Sequence, residues 1–294
     1  MELVEVYEAV VPSLVAIISR FAKSAPGKTP LLPSIIGTGF LVSDEGIVAT
    51  NRHVAEVMHQ LPSNPNTGEE GYAAVMFEMT KEERGGVYMR WMMHEVAAVG
   101  ILDNFSSDSQ WFGEAIPDVA FAQLKVRSTP NLKLAAGEYY IRPGTHIATA
   151  GFPLGNLPMT IMKKVNQAAP FIRRGIVSSV FPFSIPKPHG FTIDIMQQGG
   201  SSGSPIFYEN EPTAVGMMAS GIRDIVNAES EDAILKIATN TNISIAISSH
   251  IIKLALPTFL ESPYHVDSSQ FPTLDQWRAS HVAKPDLGWD QFHV

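Results

Sequence analysis

The feature of this sequence that most constrains its fold is a succession of short β-rich runs separated by turn-forming residues. Glycine and proline mark the breaks between runs, as at Gly151 and Pro182. The runs cover residues 15–18, 36–42, 47–50, 72–79, 86–92, 95–102, 118–124, 145–150, 173–180, 191–196, 204–208, 213–219 and 242–247. Many short strands with regular turn signals are typical of β-sandwiches and β-barrels. The pattern therefore predicts an all-β fold.

Two segments have helical spacing instead. Residues 3–11 place apolar side chains on one face and end at Pro12. Residues 248–256 show the same spacing after a serine cap, and we expect Pro257 to stop that helix. The tail that follows carries five aromatic residues, which we interpret as pinning it to the barrel rather than docking a partner: Tyr264, Phe271, Trp277, Trp289 and Phe292.

Composition and charge exclude several classes of protein. The chain has 294 residues, 45% of them hydrophobic, which suits two ordinary domains or one large all-β unit. It has no cysteine, and this excludes disulfides, cysteine metal sites and a cysteine nucleophile. The net charge is −8 and no dense Lys/Arg cluster occurs, which argues against a nucleic-acid partner.

The N-terminal sequence bears on localisation. It begins with an acidic, amphipathic segment, unlike the basic start and apolar run of a secretory signal. The longest apolar stretch, near residues 9–18, is interrupted by Pro12 and is too short to span a bilayer. We therefore expect a cytoplasmic protein with no membrane partner.

A glycine- and serine-rich segment, residues 198–207, has the composition of a nucleophile loop. A reactive serine needs an exposed hydroxyl on a tight turn, with nearby N–H groups directed at the developing oxyanion. Gly200 permits the backbone conformation that turns those groups inward. We therefore assign the nucleophile to Ser202 and the oxyanion hole to the backbone N–H groups of Gly200 and Ser202. The alternative is a flexible Gly/Ser surface loop.

Two further residues support the catalytic interpretation. His53 follows a β-hairpin signal over residues 36–50, and Asp118 heads a strand-like run. Singly, each has an ordinary explanation, as a structural histidine at a strand end or as a turn former. Together the candidates occur in the order His, Asp, Ser, which is the chymotrypsin order and differs from those of subtilisin and the α/β-hydrolases. Such a triad requires no metal or organic cofactor. His94, His146, His189 and His250 show no ligand spacing, and we interpret them as structural.

These motifs resemble the trypsin-like protease domain of the HtrA (Deg) family. The matching segments run in order along the chain: residues 37–54 with the histidine, 118–120 with the aspartate, 150–155, 174–178, 202–205 with the serine, and 245–247. The resemblance covers roughly residues 4–256. It implies a chymotrypsin-like double β-barrel with a short N-terminal helix and a C-terminal helix plus tail. The expected N-terminal barrel spans about 13–125, the C-terminal barrel about 140–256 and the tail 257–294, with no PDZ-like domain.

The resemblance also implies a substrate pocket. Its base falls near Met196, and its walls fall at Ala219, Ser220, Gly221 and Ser244. Because no carboxylate occupies the base, we expect an apolar side chain of modest size before the scissile bond, rather than Lys or Arg. Asp194 lies two positions away from the base, and we interpret it as structural.

The serine motif departs from the family pattern at two positions. Relatives usually carry Asn before the serine and often Pro two positions further back, where this chain has Ser201 and Gly199. The added flexibility leads to the hypothesis that the oxyanion loop rests in an inactive shape until substrate or a regulatory protein partner orders it.

We therefore expect a serine endopeptidase that acts on protein or peptide substrates. One alternative is a catalytically silent or partner-activated binding module on the same fold. Another is an α/β-hydrolase esterase, which requires Gly-x-Ser-x-Gly and the order Ser, Asp, His. Ser204 occupies the position of the second glycine, and the strand pattern lacks crossover helices, so the esterase is disfavoured.

Overall fold

Strands dominate the computed structural model, which describes residues 1–20, 34–81, 87–106, 113–135, 141–155, 169–183, 187–230 and 233–281. Within these residues the strands form two sheets of seven strands each. The first sheet contains β1 (Leu14–Ser19), β2 (Ser34–Leu41), β3 (Ile47–Thr50), β4 (Tyr72–Lys81), β5 (Val87–His94), β6 (Val96–Ile101) and β7 (Ala120–Leu124). Its strand order is β5-β4-β1-β2-β3-β7-β6, and all of its pairs are antiparallel, so that it curves into a half-barrel.

The second sheet closes on itself. It contains β8 (Lys133–Leu134), β9 (His146–Gly151), β10 (Phe171–Phe181), β11 (Gly190–Ile193), β12 (Pro205–Tyr208), β13 (Thr213–Ser230) and β14 (Ala233–Ser248). The order is β12-β9-β10-β11-β14-β13-β8, and an additional pairing of β12 with β13 completes a six-stranded barrel. The predicted chymotrypsin-like double barrel is therefore confirmed.

Four α-helices occur among the described residues: α1 (Leu3–Val10), α2 (Arg52–Gln60), α3 (Ser249–Leu260) and α4 (Leu274–His281). Short 3-10 helices cover Val11–Ser13 and Ser268–Gln270. The first and third α-helices were expected, whereas α2, α4 and strand β8 were not. Strands β13 and β14 are also much longer than predicted and form an extended hairpin beyond the barrel.

The prediction that Pro257 ends its helix is wrong. Helix α3 continues to Leu260 with Pro257 inside it. A proline inside a helix loses one backbone hydrogen bond and strains the preceding turn. The continuation is compensated by Phe259, which is buried and stacks on Phe121 of β7 with 5.5 Å between ring centroids.

Apolar side chains join the two barrels into one core. Phe40 and Phe121 from the first sheet share a buried cluster with Phe207 from the second. Phe77 of β4 also lies against Phe152, which follows β9, with ring centroids 4.9 Å apart. The region between the barrels, where the candidate site lies, is therefore a packed interface. Separately, none of the described helices has the length and apolar character needed to cross a membrane.

After α3 the chain returns to the first barrel. The side chain of the buried Gln123 donates to the carbonyl of Val266 at 2.8 Å and accepts from its N–H at 2.9 Å. Leu274 is buried in the first-barrel core, and Trp277 packs against it. Of the other tail aromatics, Tyr264 is exposed. Trp289 and Phe292 lie outside the described residues.

The buried His94 marks the contact with this returning segment. It is 2% exposed, lies 4.3 Å from the Trp277 ring, and neither ring nitrogen has a hydrogen-bond partner among the described residues. Burial, reinforced by the nearby His281 and Arg278, lowers the pKa of His94 from 6.5 to about 4. Because the unfolded chain binds this proton at higher pH than the folded one, stability falls as the pH drops from 6.5 towards 4.

We predict that His94→Phe makes the protein less sensitive to acid. As the pH falls from 6.5 towards 4, protonation of His94 should cost the wild type on the order of 3 kcal/mol of unfolding free energy. The variant should not show this loss. Urea unfolding at about pH 7 and about pH 4.5 measures the difference. The exposed His59→Phe serves as the control. An equal loss in the wild type and in His94→Phe would contradict the assignment.

Candidate active site

Strand pairing brings His53 and Asp118 together. Strands β3 and β7 are antiparallel, with Thr50 opposite Ala120, so the end of one lies beside the start of the other. His53 lies in the first turn of α2, directly after β3. Its Nδ1 lies 2.9 Å and 3.1 Å from the two carboxylate oxygens of Asp118, and its backbone N–H donates to Oδ1 at 3.1 Å.

Asn51 holds the backbone of Asp118 through a second hydrogen bond. It is fully buried at the N-cap of α2, and its side-chain amide donates to the Asp118 backbone carbonyl at 3.0 Å. The hydrogen bond from His53 to the carboxylate is the largest cause that raises the pKa of His53; burial opposes it, and the charges of Asp118 and Glu56 add to it. With Nδ1 directed at a carboxylate, Nε2 is the nitrogen left to exchange a proton with a nucleophile.

Ser202 lies on a tight turn between β11 and β12. The turn needs glycine at two positions: Gly200 has φ +86° and Gly203 has φ +85°. A Cβ at Gly200 would collide with the carbonyl of Phe152, and one at Gly203 with the carbonyl of Thr38. The composition of this segment is therefore required by its backbone conformation and by its close approach to the first barrel.

Thr38 of β2 connects the serine turn to the rest of the site. Its N–H donates to the Ser202 carbonyl at 2.8 Å, and its hydroxyl donates to the Gly200 carbonyl at 2.7 Å. The same hydroxyl accepts from the Phe152 N–H at 3.2 Å. Its carbonyl accepts from Thr50 Oγ1 at 2.8 Å, and Thr50 ends the strand that leads into His53.

The backbone N–H groups of Gly200 and Ser202 differ from those of the adjacent residues in their hydrogen bonding. Ser201 N–H donates to Gln198 and Gly203 N–H donates to Met218, both at 3.0 Å. Within the described part of the chain, the N–H groups of Gly200 and Ser202 donate to no protein acceptor. These two donors are therefore free to bind a ligand, and their assignment as an oxyanion hole stays a prediction.

The Ser202 hydroxyl is engaged by a residue that the sequence analysis did not identify. The Gln197 amide nitrogen donates to Ser202 Oγ at 3.0 Å and to the Ala219 carbonyl at 3.0 Å. In the described residues no hydrogen bond joins Ser202 Oγ to His53. The structure thus pairs His53 with Asp118, and it pairs Ser202 with Gln197.

The predicted pocket residues have different environments. Met196 is half-buried, Ala219 is buried, and Ser220 and Gly221 are exposed. Ser244 is fully buried, and its hydroxyl donates to the carbonyl of Ile195, so it anchors the segment before the serine turn rather than facing a ligand.

Asp194 and Arg173 also anchor this segment. The Asp194 carboxylate accepts from the Ile176 N–H at 2.6 Å, which agrees with a structural role. Arg173 of β10 donates to the Met196 carbonyl at 2.6 Å and to the side-chain oxygen of Gln198. Desolvation lowers the pKa of Arg173. No local sequence pattern signals Arg173, which acts through contacts with a distant segment, or Gln197, whose contact with Ser202 depends on how the turn folds.

The fold is a chymotrypsin-like double barrel. Comparison with known families identifies the family of this chain more specifically than the fold alone. A family profile described as a trypsin-like peptidase domain matches residues 37–217, which include all three candidate catalytic residues. This chain belongs to the trypsin-like peptidase family. No curated protein matches it.

Solved structures similar to this chain include HtrA-type proteases. An HtrA-type protease AlgW with decapeptide shares 15% identity and a TM-score of 0.48, over 88% of this chain and 66% of that one. The serine endoprotease from Yersinia pestis shares 14% identity and a TM-score of 0.49, over 90% of this chain and 68% of that one. This chain thus spans about two thirds of the length of those proteins.

We predict that Asp118→Asn lowers the pKa of His53. The substitution removes both the hydrogen bond to the carboxylate and its charge, which are the main causes that raise this pKa. Titration of the His53 ring by NMR measures the change. Glu56→Gln is the matched control and should lower the pKa less, because Glu56 contributes only through its charge. An equal effect of the two substitutions would refute the assignment of Asp118 as the main partner.

Proposed function

We propose that this chain is a serine endopeptidase that hydrolyses peptide bonds of protein substrates through Ser202, His53 and Asp118. The observation that carries the proposal is the hydrogen bond between His53 Nδ1 and the Asp118 carboxylate, at 2.9 Å. This bond orients the imidazole, and among the described residues Nε2 makes no hydrogen bond and is left to act on a nucleophile. Membership of the trypsin-like peptidase family supports the same chemistry.

The proposed reaction has two stages. Ser202 Oγ attacks the substrate carbonyl carbon and transfers its proton to His53 Nε2, while the carbonyl oxygen becomes an anion bound by the N–H groups of Gly200 and Ser202. The C–N bond then breaks, His53 returns the proton to the leaving amine, and an acyl-enzyme remains. Water repeats the sequence on the acyl group and regenerates Ser202. Asp118 holds the imidazole and stabilises its charged form.

The second candidate is a silent or partner-activated binding module on the same fold. The observation that favours it is that Ser202 Oγ accepts a hydrogen bond from Gln197 and makes none with His53 among the described residues. Under this proposal a regulatory protein partner, or the substrate itself, rearranges the turn before reaction. The cytoplasmic location predicted from the sequence remains part of the proposal.

We predict that a fluorophosphonate forms one covalent adduct with the wild type and none with Ser202→Ala. The reagent modifies only a serine that a base has activated. Intact-mass measurement detects the adduct, and thermal unfolding checks that the variant is folded. Ser178→Ala, which changes an exposed serine on β10, should keep the adduct. Hydrolysis of a casein substrate should fall by roughly 10³-fold or more in Ser202→Ala. An adduct that persists in Ser202→Ala would remove Ser202 from the mechanism.

We predict that cleavage favours an apolar residue of modest size before the scissile bond. The predicted pocket residues Met196 and Ala219 supply no carboxylate, so a cationic side chain would lose its hydration without gaining a partner. Mass spectrometry of a cleaved peptide library measures the preference, with Ser202→Ala as the blank. Enrichment of Lys or Arg at that position would show the pocket assignment to be wrong.

A further inference from the structure

One side chain lies between the candidate nucleophile and the wall of the substrate pocket. Gln197 Nε2 is 3.0 Å from Ser202 Oγ and 3.0 Å from the Ala219 carbonyl oxygen. A primary amide nitrogen carries two protons, so both of its donors are used, one on each acceptor. The amide therefore bridges the two groups.

The Ala219 carbonyl is an unusual acceptor because of a local irregularity in the sheet. The register of β13 against β14 shifts between Met218 and Ser220, and Ala219 has no opposite residue on β14. A strand carbonyl released in this way is the kind of group that an added peptide strand uses, since extended peptides bind by backbone hydrogen bonds. Gln197 thus occupies a backbone acceptor of the kind that an added peptide strand uses.

The position of Gln197 is fixed from both sides. Arg173 donates to the carbonyl of Met196 and to the side chain of Gln198, the two neighbours of Gln197 in the chain. Across the pocket, Gly221 leaves room for the side chain: a Cβ there would lie 3.3 Å from Gln197 Cβ. These contacts hold the backbone on both sides of Gln197 and leave space for its side chain, whose amide lies at Ser202.

We propose that Gln197 is an autoinhibitory latch. Its amide holds Ser202 Oγ away from His53 and covers the Ala219 carbonyl, and an extended peptide substrate releases the nucleophile by taking over that carbonyl with its own N–H. This inference rests on the proposed peptidase function and adds the way in which the site is kept closed. No covalent step is involved.

The test uses two substitutions of Gln197 in the full-length chain. Gln197→Ala removes the side chain, and Gln197→Met keeps a similar volume without any donor. We expect both to increase the second-order rate of fluorophosphonate labelling at Ser202 by roughly tenfold, since two hydrogen bonds no longer compete with reaction. Both should also lower the KM for a peptide substrate, because the substrate no longer displaces the amide. The exposed Gln60→Ala should label at the wild-type rate.

Each outcome decides between the latch and its absence. Faster labelling and lower KM in both variants, with unchanged thermal unfolding, support the latch, as does an adduct that appears only when Gln197 is replaced. Equal labelling of the wild type and both variants overturns the latch but leaves the peptidase proposal intact. Faster labelling of Gln197→Ala alone also overturns it, because bulk rather than hydrogen bonding then limits access. The absence of any adduct in all three proteins overturns the peptidase proposal and the latch with it.

Discussion

The geometry of the candidate site depends on Thr38, a fully buried threonine at the junction of the two barrels. Four hydrogen bonds meet at this residue, and they connect the serine turn, the segment after β9 and the strand that leads to His53. Each group would be costly to leave unpaired at this depth. Neither barrel alone contains the site: one supplies His53 and Asp118, and the other supplies Ser202. Their relative position is therefore set by a polar cross-link within an apolar interface.

The same junction explains why glycine is required in the serine turn. The carbonyls of Thr38 and Phe152 approach Gly203 and Gly200 so closely that neither glycine could carry a side chain. Both glycines also have positive φ, which other residues adopt only at a cost. Among the residues that the structure describes, this backbone leaves the N–H groups of Gly200 and Ser202 without protein acceptors, whereas adjacent N–H groups are paired. The conformation of the serine turn thus has two results. It lets the two barrels pack closely at Gly200 and Gly203, and it leaves two N–H groups free to donate.

Local patterns predicted the strands but not how they combine. Short β-rich runs and turn residues indicate strands because they report on single segments, whereas the pairing of Thr50 with Ala120 joins distant segments that no local pattern specifies. The chain order His, Asp, Ser and the resemblance to a known family, rather than any local pattern, suggested that His53 and Asp118 share one site. Helix α2 was missed although Asn51 is a favourable N-cap residue, and in the structure its side chain binds Asp118 instead of capping the helix. Gln197 and Arg173 gave no signal, since the role of Gln197 depends on the folded shape of the serine turn and that of Arg173 on contacts with a distant segment.

Because the chain has no cysteine, no disulfide holds the segment before the serine turn. Only hydrogen bonds and packing hold it: Ser244 binds the Ile195 carbonyl, and Arg173 binds the Met196 carbonyl. A covalent cross-link would keep such a segment in one state under all non-reducing conditions, whereas each hydrogen bond contributes only about 1 to 3 kcal/mol net. A ligand that offers competing donors can therefore rearrange the segment at modest cost. A latch made by one amide, on a segment anchored by carbonyl contacts, is consistent with control by substrate binding rather than by a change in redox state.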